Sequence, residues 1–136
     1  MSKHQKKPIQ FDNITQCLEA WTTLNEKGAV ILSSINVDQQ PKGDSQLLSD
    51  LNDILIGMRQ VLEAMHELFD QISEKDEQFE LYRQCINMFE QEFMVKESIQ
   101  SIVQQSGFMS KQHLTGSISL WKAEAYLDED VIKRLH

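Results

Sequence analysis

Glu63 and His66 are the two side chains whose spacing could hold a metal ion. In four-helix bundles, a Glu-x-x-His motif on each of two helices, together with further glutamates, holds two metals. This chain has one such motif, because no glutamate stands three residues before its other histidines, His4, His113 and His136. Glu63 and His66 do not share the helical phase of the apolar residues around them. We therefore expect this pair at the edge of the buried face or in solvent. We therefore expect no metal site.

The two cysteines, Cys17 and Cys85, are far apart in the sequence and form no C-x-x-C motif. This pattern predicts buried reduced thiols rather than zinc ligands or a disulfide framework. The sequence contains no glycine-rich phosphate-binding motif and no G-x-S-x-G nucleophile motif. The acidic run Asp128, Glu129 and Asp130 is better explained as the start of a helix than as a catalytic carboxylate pair. The sequence therefore predicts a non-enzymatic protein without a cofactor.

The charge distribution separates a short basic end from a strongly acidic remainder. Lys3, Lys6 and Lys7 lie in the first seven positions, whereas ten other basic and all twenty-one acidic residues follow, so the net charge from Pro8 onward is near −11. Such a field opposes direct binding to nucleic acids and to anionic membranes. The N-terminus has no apolar signal region, and no apolar run is long enough to span a membrane. We predict a disordered basic tail over residues 1–10 and a single helical domain over residues 11–136.

The elements that position these residues are predicted to be helices. Between Met58 and Ser106 there are 49 residues without Gly or Pro. Apolar residues recur at steps of three and four, which is typical of an amphipathic helix. They form two adjacent rows: Leu47, Leu51, Ile54, Met58, Val61, Met65, Leu68 and Ile72, with Leu48, Leu55, Leu62 and Phe69 beside them. So wide an apolar face must be buried against another helix.

Polar residues set the expected helix boundaries. A first helix is predicted to begin at an Asp12 cap and to reach Ile35, with Gly28 on its apolar seam. Gly28 could allow a close backbone approach or end the helix, and we favour continuation because Ile31 and Ile35 keep the phase. Residues 36–44 have the composition of a loop. Asp44 or Ser45 is the expected cap of the second helix.

Residues 73–78 contain no apolar side chain and no Gly or Pro, which allows two interpretations. One helix could run for about 90 Å from Ser45 to Ser106, or the chain could turn here. We favour the turn. The third helix then ends at Gly107, and Ser110 and Asp128 cap two short helices, the last over residues 129–135. The predicted fold is all-α, an antiparallel helical hairpin or coiled-coil bundle of three long helices plus short C-terminal helices.

Two segments resemble the cyclin-dependent kinase 2-interacting protein family. The first is Trp21-Thr-Thr-Leu-Asn-Glu-Lys-Gly28, similar to that family's Trp-x-Thr-Leu-Asn-x-x-Gly segment, followed by a helical run. The second extends from Phe89 through Lys96 to Trp121 and Tyr126, and it is similar to the family's C-terminal helix with its Leu-Ser-x-Trp-like stretch. The resemblance covers about half of the chain.

The resemblance implies a nuclear, non-enzymatic adaptor that pairs with another helical protein. The family is associated with cell-cycle kinases, replication and DNA-damage checkpoint proteins, and an AAA ATPase assembly that matures the large ribosomal subunit. An unrelated coiled-coil subunit of a tethering or kinetochore-type complex is the alternative. We favour the adaptor over this alternative.

A partner-binding surface is predicted on the residues that carry the resemblance. Large aromatic side chains such as Trp21 and Trp121 are most often core, but Trp and Tyr are also enriched in interfaces. Gly28 is predicted to leave a groove into which a partner helix fits, so that Gly28→Leu weakens assembly without loss of helicity. The predicted partner-binding residues are Trp21, Leu24, Gly28, Ile31, Lys96, Trp121 and Tyr126.

Overall fold

A computed structural model describes residues 12–135 of the 136-residue chain, and these residues form a helical bundle without strands. The helices are α1 (Ile14–Ser33), α2 (Ser45–Asp70), α3 (Phe79–Gln105), α4 (Lys111–Ala123) and α5 (Glu129–Lys133). The predicted all-α class is confirmed for this part of the chain. The predicted tail over residues 1–10 lies outside the described residues, as do Phe11 and His136.

The first helix begins one residue later than predicted. Asn13, not Asp12, is the N-cap, and its side chain accepts a hydrogen bond from the backbone N–H of Gln16 at 3.0 Å. The Gln16 side chain in turn accepts from the Asp12 N–H at 2.8 Å. Asn and Asp are equally good N-caps, so we attribute the start of the helix at Asn13 to the reciprocal contact with Gln16. Helix α1 continues through Gly28 as predicted, although it ends before Ile35.

The other predicted caps are confirmed. The side chains of Asp44, Ser110 and Asp128 each accept a backbone N–H in the first turn of α2, α4 and α5. Gly107 follows the end of α3 at φ 71°, where its N–H donates to the Ile102 carbonyl at 2.7 Å. A positive φ at this position suits glycine, which ends helices in this conformation.

The chain turns between α2 and α3, so the single-long-helix alternative is wrong. Helix α2 ends at Asp70 and α3 begins at Phe79. The turns between the two helices contain no Gly or Pro, and side-chain oxygens stabilise them. Ser73 accepts from the Lys75 N–H at 3.2 Å, and Asp76 accepts from the Gln78 N–H at 2.8 Å. Asp and Ser often stabilise turns in this way.

The apolar rows of α2 lie in the core, as their periodicity predicts. Their central residues are buried and their ends, such as Leu47 and Phe69, are half-buried. Helix α2 packs against α1 and α3, α4 also packs against α1 and α3, and α5 packs against α3. The contacts between α2 and α3 include Asn52 with Gln100 and Phe69 with Phe79. No helix within residues 12–135 has the length and hydrophobicity required to cross a membrane.

Candidate functional site

Trp21 connects α1 to the end of α4. Its ring is 1% exposed and meets Phe89 of α3 edge-on, with ring centroids 5.0 Å apart. Its indole N–H donates to Oε2 of Glu124 at 2.6 Å. An indole in the core needs such an acceptor, and a carboxylate is a strong one. Trp21 is therefore part of the chain's own interior in this structure.

Trp121 fills the space that Gly28 leaves on α1. A Cβ atom added to Gly28 would lie 2.2 Å from Cζ2 of Trp121, far inside van der Waals contact. Trp121 is fully buried, and its indole N–H donates to the Asn25 carbonyl at 2.9 Å. The predicted groove for a partner helix at Gly28 is therefore wrong, because a side chain of the same chain occupies it.

Lys96 is a fully buried cation between two carboxylates. Its Nζ lies 3.2 Å from Oε2 of Glu92 and 3.8 Å from Oε2 of Glu124. It also donates to the Trp121 carbonyl and lies 4.5 Å from the centroid of the Trp121 ring. A buried charge is tolerated only with partners of this kind. We name this cluster the tryptophan junction and define it as Trp21, Gly28, Glu92, Lys96, Trp121 and Glu124.

Burial and pairing act in opposite directions on the charges of the junction. Burial lowers the pKa of Lys96, while the nearby Glu124 and Glu92 favour its charged form. Burial also raises the pKa of Glu124, and the hydrogen bond from Trp21 and the charge of Lys96 oppose that rise. Each charged form therefore depends on its partner, and removal of one group leaves the others buried without compensation.

Glu124 has a backbone conformation that few residues other than glycine adopt. Its φ of 46° and ψ of 54° lie in the left-handed region, where it ends α4. This conformation costs about 1–2 kcal/mol for an ordinary residue. The Glu124 carboxylate is held by Trp21 and Lys96, so the junction fixes the point at which the chain leaves α4.

Of the seven predicted partner-binding residues, one is exposed, two are half-buried and four are buried. Leu24 is half-buried over Gly57 of α2, where an added Cβ would lie 3.0 Å from it. The Tyr126 side chain is 51% exposed, although its backbone N–H donates to Glu92 at 3.4 Å. Ile31 is half-buried beside α2. The structure brings Trp21, Gly28, Lys96 and Trp121 together, but it does so inside the chain.

Asn25, Glu92 and Glu124 complete the site and were not predicted from the sequence. A signal exists for Glu92, because it stands with Lys96 in the buried phase of α3 between Phe89 and Ile99. Polar residues in an apolar row indicate a buried pair. Asn25 has the same signal in α1, where it is buried and its Oδ1 has no hydrogen-bond partner within residues 12–135. Glu124 carries no such pattern, since it follows the helix end.

An open groove of about 590 Å³ runs between α1 and α2. We name it the α1–α2 groove, and it is lined by Glu26, Lys27, Val30, Ile31, Asp50, Asp53 and Ile54. Val30 is β-branched and 71% exposed, whereas Ile54 is almost fully buried. A second cleft of about 450 Å³ lies beside the junction between α1, α4 and α5. Of the two, the α1–α2 groove presents the more exposed apolar surface.

The histidine and cysteine side chains with potential for metal binding or catalysis are paired or buried. His66 of α2 pairs with Glu90 of α3, and both are about half exposed. Burial raises the pKa of Cys17 to about 11 and that of Cys85 to about 12, which keeps both thiols protonated. Among residues 12–135, no three His, Cys, Asp or Glu side chains are grouped as metal ligands.

Comparisons of this chain with protein-family models, with curated proteins and with solved structures give no match.

Proposed function

We propose that this chain is a non-enzymatic adaptor subunit of a nuclear complex, built as an antiparallel helical hairpin or coiled-coil bundle that binds another helical protein. The observation that carries the proposal is the α1–α2 groove. There, Val30 and Ile31 expose apolar surface along one of the long helices. A groove between neighbouring helices is a common binding site for a third helix.

The paired contacts of α2 and α3 support the antiparallel arrangement. Asn52 meets Gln100, Arg59 meets Glu97, His66 meets Glu90, and Phe69 meets Phe79. Residue numbers rise along one helix as they fall along the other. Since α1 contacts α2 and α4, and α3 contacts the same two helices, the four longest elements surround one core.

The resemblance to the cyclin-dependent kinase 2-interacting protein family supplies the expected partners. They are an AAA ATPase assembly acting in large ribosomal subunit maturation, together with cell-cycle kinase and checkpoint proteins. Four of the residues that carry the resemblance lie together in the junction: Trp21, Gly28, Lys96 and Trp121. In the proposal, they maintain the shape of the adaptor rather than touch the partner.

Affinity purification of the full chain from nuclear extract, followed by mass spectrometry, tests the proposal. The matched control is Leu62→Asp, because Leu62 is 7% exposed in the core and the change should unfold the chain. An AAA ATPase and ribosome-assembly factors recovered with the natural chain and absent from the control support the adaptor. Vesicle or centromere proteins would favour the tethering or kinetochore-type alternative. Recovery of the same proteins with both baits would contradict the proposed function.

A further inference from the structure

We infer that the α1–α2 groove binds a basic amphipathic helix of a partner protein, an inference that rests on the proposed adaptor function. The floor of the groove is apolar. Val30 projects from α1 with 71% of its surface exposed, Ile31 is half-buried beside it, and Ile54 lies below with 7% exposed. An apolar strip between two helices accepts side chains spaced at three and four residues on a third helix.

The rim of the groove selects the charge of the occupant. Three carboxylates, Glu26, Asp50 and Asp53, line it together with one basic side chain, Lys27. None of the three carboxylates forms an ion pair with any residue between 12 and 135, and Asp50 accepts only an amide hydrogen bond from Gln46 at 2.8 Å. Unpaired acids around an apolar strip favour a partner with Lys or Arg flanking its apolar face.

The same charges disfavour the other occupants. A second copy of the chain on a two-fold axis would present this surface to itself and bring Asp50 and Asp53 close to like charges. The net charge of −8 opposes a phosphate backbone or an anionic membrane in the same way. A basic helix from a different protein gains both apolar burial and charge complementarity.

Two variants at sites of similar exposure distinguish the contribution of the groove to binding from that of the rest of the surface. Val30→Lys places a cation in the groove and should reduce recovery of the partner at least about tenfold, as expected for a central interface residue. Met94→Lys makes the same change on α3, where Met94 is 65% exposed and lies outside the groove. This control should leave recovery unchanged. Both variants should unfold at the temperature of the natural chain, which circular dichroism checks.

A photo-crosslinking amino acid at position 30 of the full chain identifies the occupant. In nuclear extract, the crosslinked peptide should have apolar residues at i, i+3 or i+4 and i+7, with Lys or Arg on either side. Higher salt should reduce the yield, because partly exposed charges are screened. The same amino acid at position 94 should not capture that peptide.

Several results would overturn the inference while the adaptor proposal stands. They are equal recovery with Val30→Lys and the natural chain, a crosslinked peptide that is acidic or not amphipathic, and crosslinks only to another copy of this chain or to its own residues 1–11. If the natural chain recovers nothing beyond the Leu62→Asp control, both the adaptor proposal and this inference fail.

Discussion

The apolar rows of α2 and the tryptophan junction are both buried, but they specify the fold in different ways. In the rows, residues such as Met58 and Val61 need only be apolar and of about the right size. In the junction, Lys96 and Glu124 each depend on a particular partner at a particular distance. Apolar cores accept volume-conserving replacements, whereas a buried polar cluster fails when one member is lost. Residues that stand out in the sequence can therefore be required by packing within the chain itself.

The largest expected effect is in the apolar rows. Leu62→Asp removes a buried apolar side chain and puts an unpaired carboxylate in its place, so unfolding should become easier by about 4 kcal/mol or more. Ile56→Asp, on the same helix at 49% exposure, is the matched control and should cost less than about 1 kcal/mol. Urea denaturation measures both. Similar midpoints for the two variants would show that the assigned buried face of α2 is wrong.

The next largest loss of stability is expected when the Lys96 charge at the centre of the junction is removed. Lys96→Met leaves the carboxylates of Glu92 and Glu124 buried without their cation and should cost about 3–5 kcal/mol. Lys111→Met is the control, because Lys111 pairs with Asp38 at 3.2 Å on the surface, where such pairs contribute at most about 1 kcal/mol. Chemical denaturation of both variants decides the point. Equal small losses would mean that the junction tolerates an apolar side chain as the rows do.

A smaller effect is expected where Gly28 meets Trp121. Gly28→Leu should destabilise the chain itself by at least about 1–3 kcal/mol, because even its Cβ atom overlaps the indole. Gly116→Ala is the control. No atom lies within 4 Å of its added Cβ, and alanine in a helix interior is more stable than glycine by about 0.5–1 kcal/mol. Thermal unfolding should give opposite shifts for the two changes. An unaltered midpoint for Gly28→Leu would return this position to the candidate interface.

The smallest expected effect is the pH dependence of Glu124. Its pKa in the folded chain is raised above 4.5 by burial, so the folded state binds the proton more readily than the unfolded state. This contribution to stability is complete below pH 4.5 and is lost as the pH rises through the folded pKa. The stability difference between the natural chain and Glu124→Gln, measured by urea denaturation across that window, should therefore favour the natural chain increasingly as the pH falls. A constant difference would contradict the raised pKa.

Periodicity and caps predicted most of the fold from the sequence. The apolar rows located α2, and Asp44, Ser110 and Asp128 marked three helix starts. The exact start at Asn13 depended on a side-chain contact with Gln16 that two equally good capping residues do not reveal.

The site was less predictable because its contacts join residues far apart in the chain. A glycine on an apolar seam indicates that something approaches closely, but it does not say whether a partner or Trp121 does so. The pairing of Trp21 with Glu124 spans 103 positions, and the left-handed turn at Glu124 has no signal in a sequence without glycine there. To predict that Val30 lies on the exposed side of α1, one must also know which helices cover the other faces of α1.

Acrylamide quenching of tryptophan fluorescence tests most directly whether the junction is internal. The chain contains two tryptophans, and both are almost fully buried, at 1% and 0% exposure. The full chain alone should therefore show emission shifted to shorter wavelength and weak quenching, and strong quenching should appear only on unfolding in urea. Quenching of the folded chain as efficient as that of the unfolded chain would contradict the internal location of the junction, because it would place Trp21 and Trp121 at a surface open to partners.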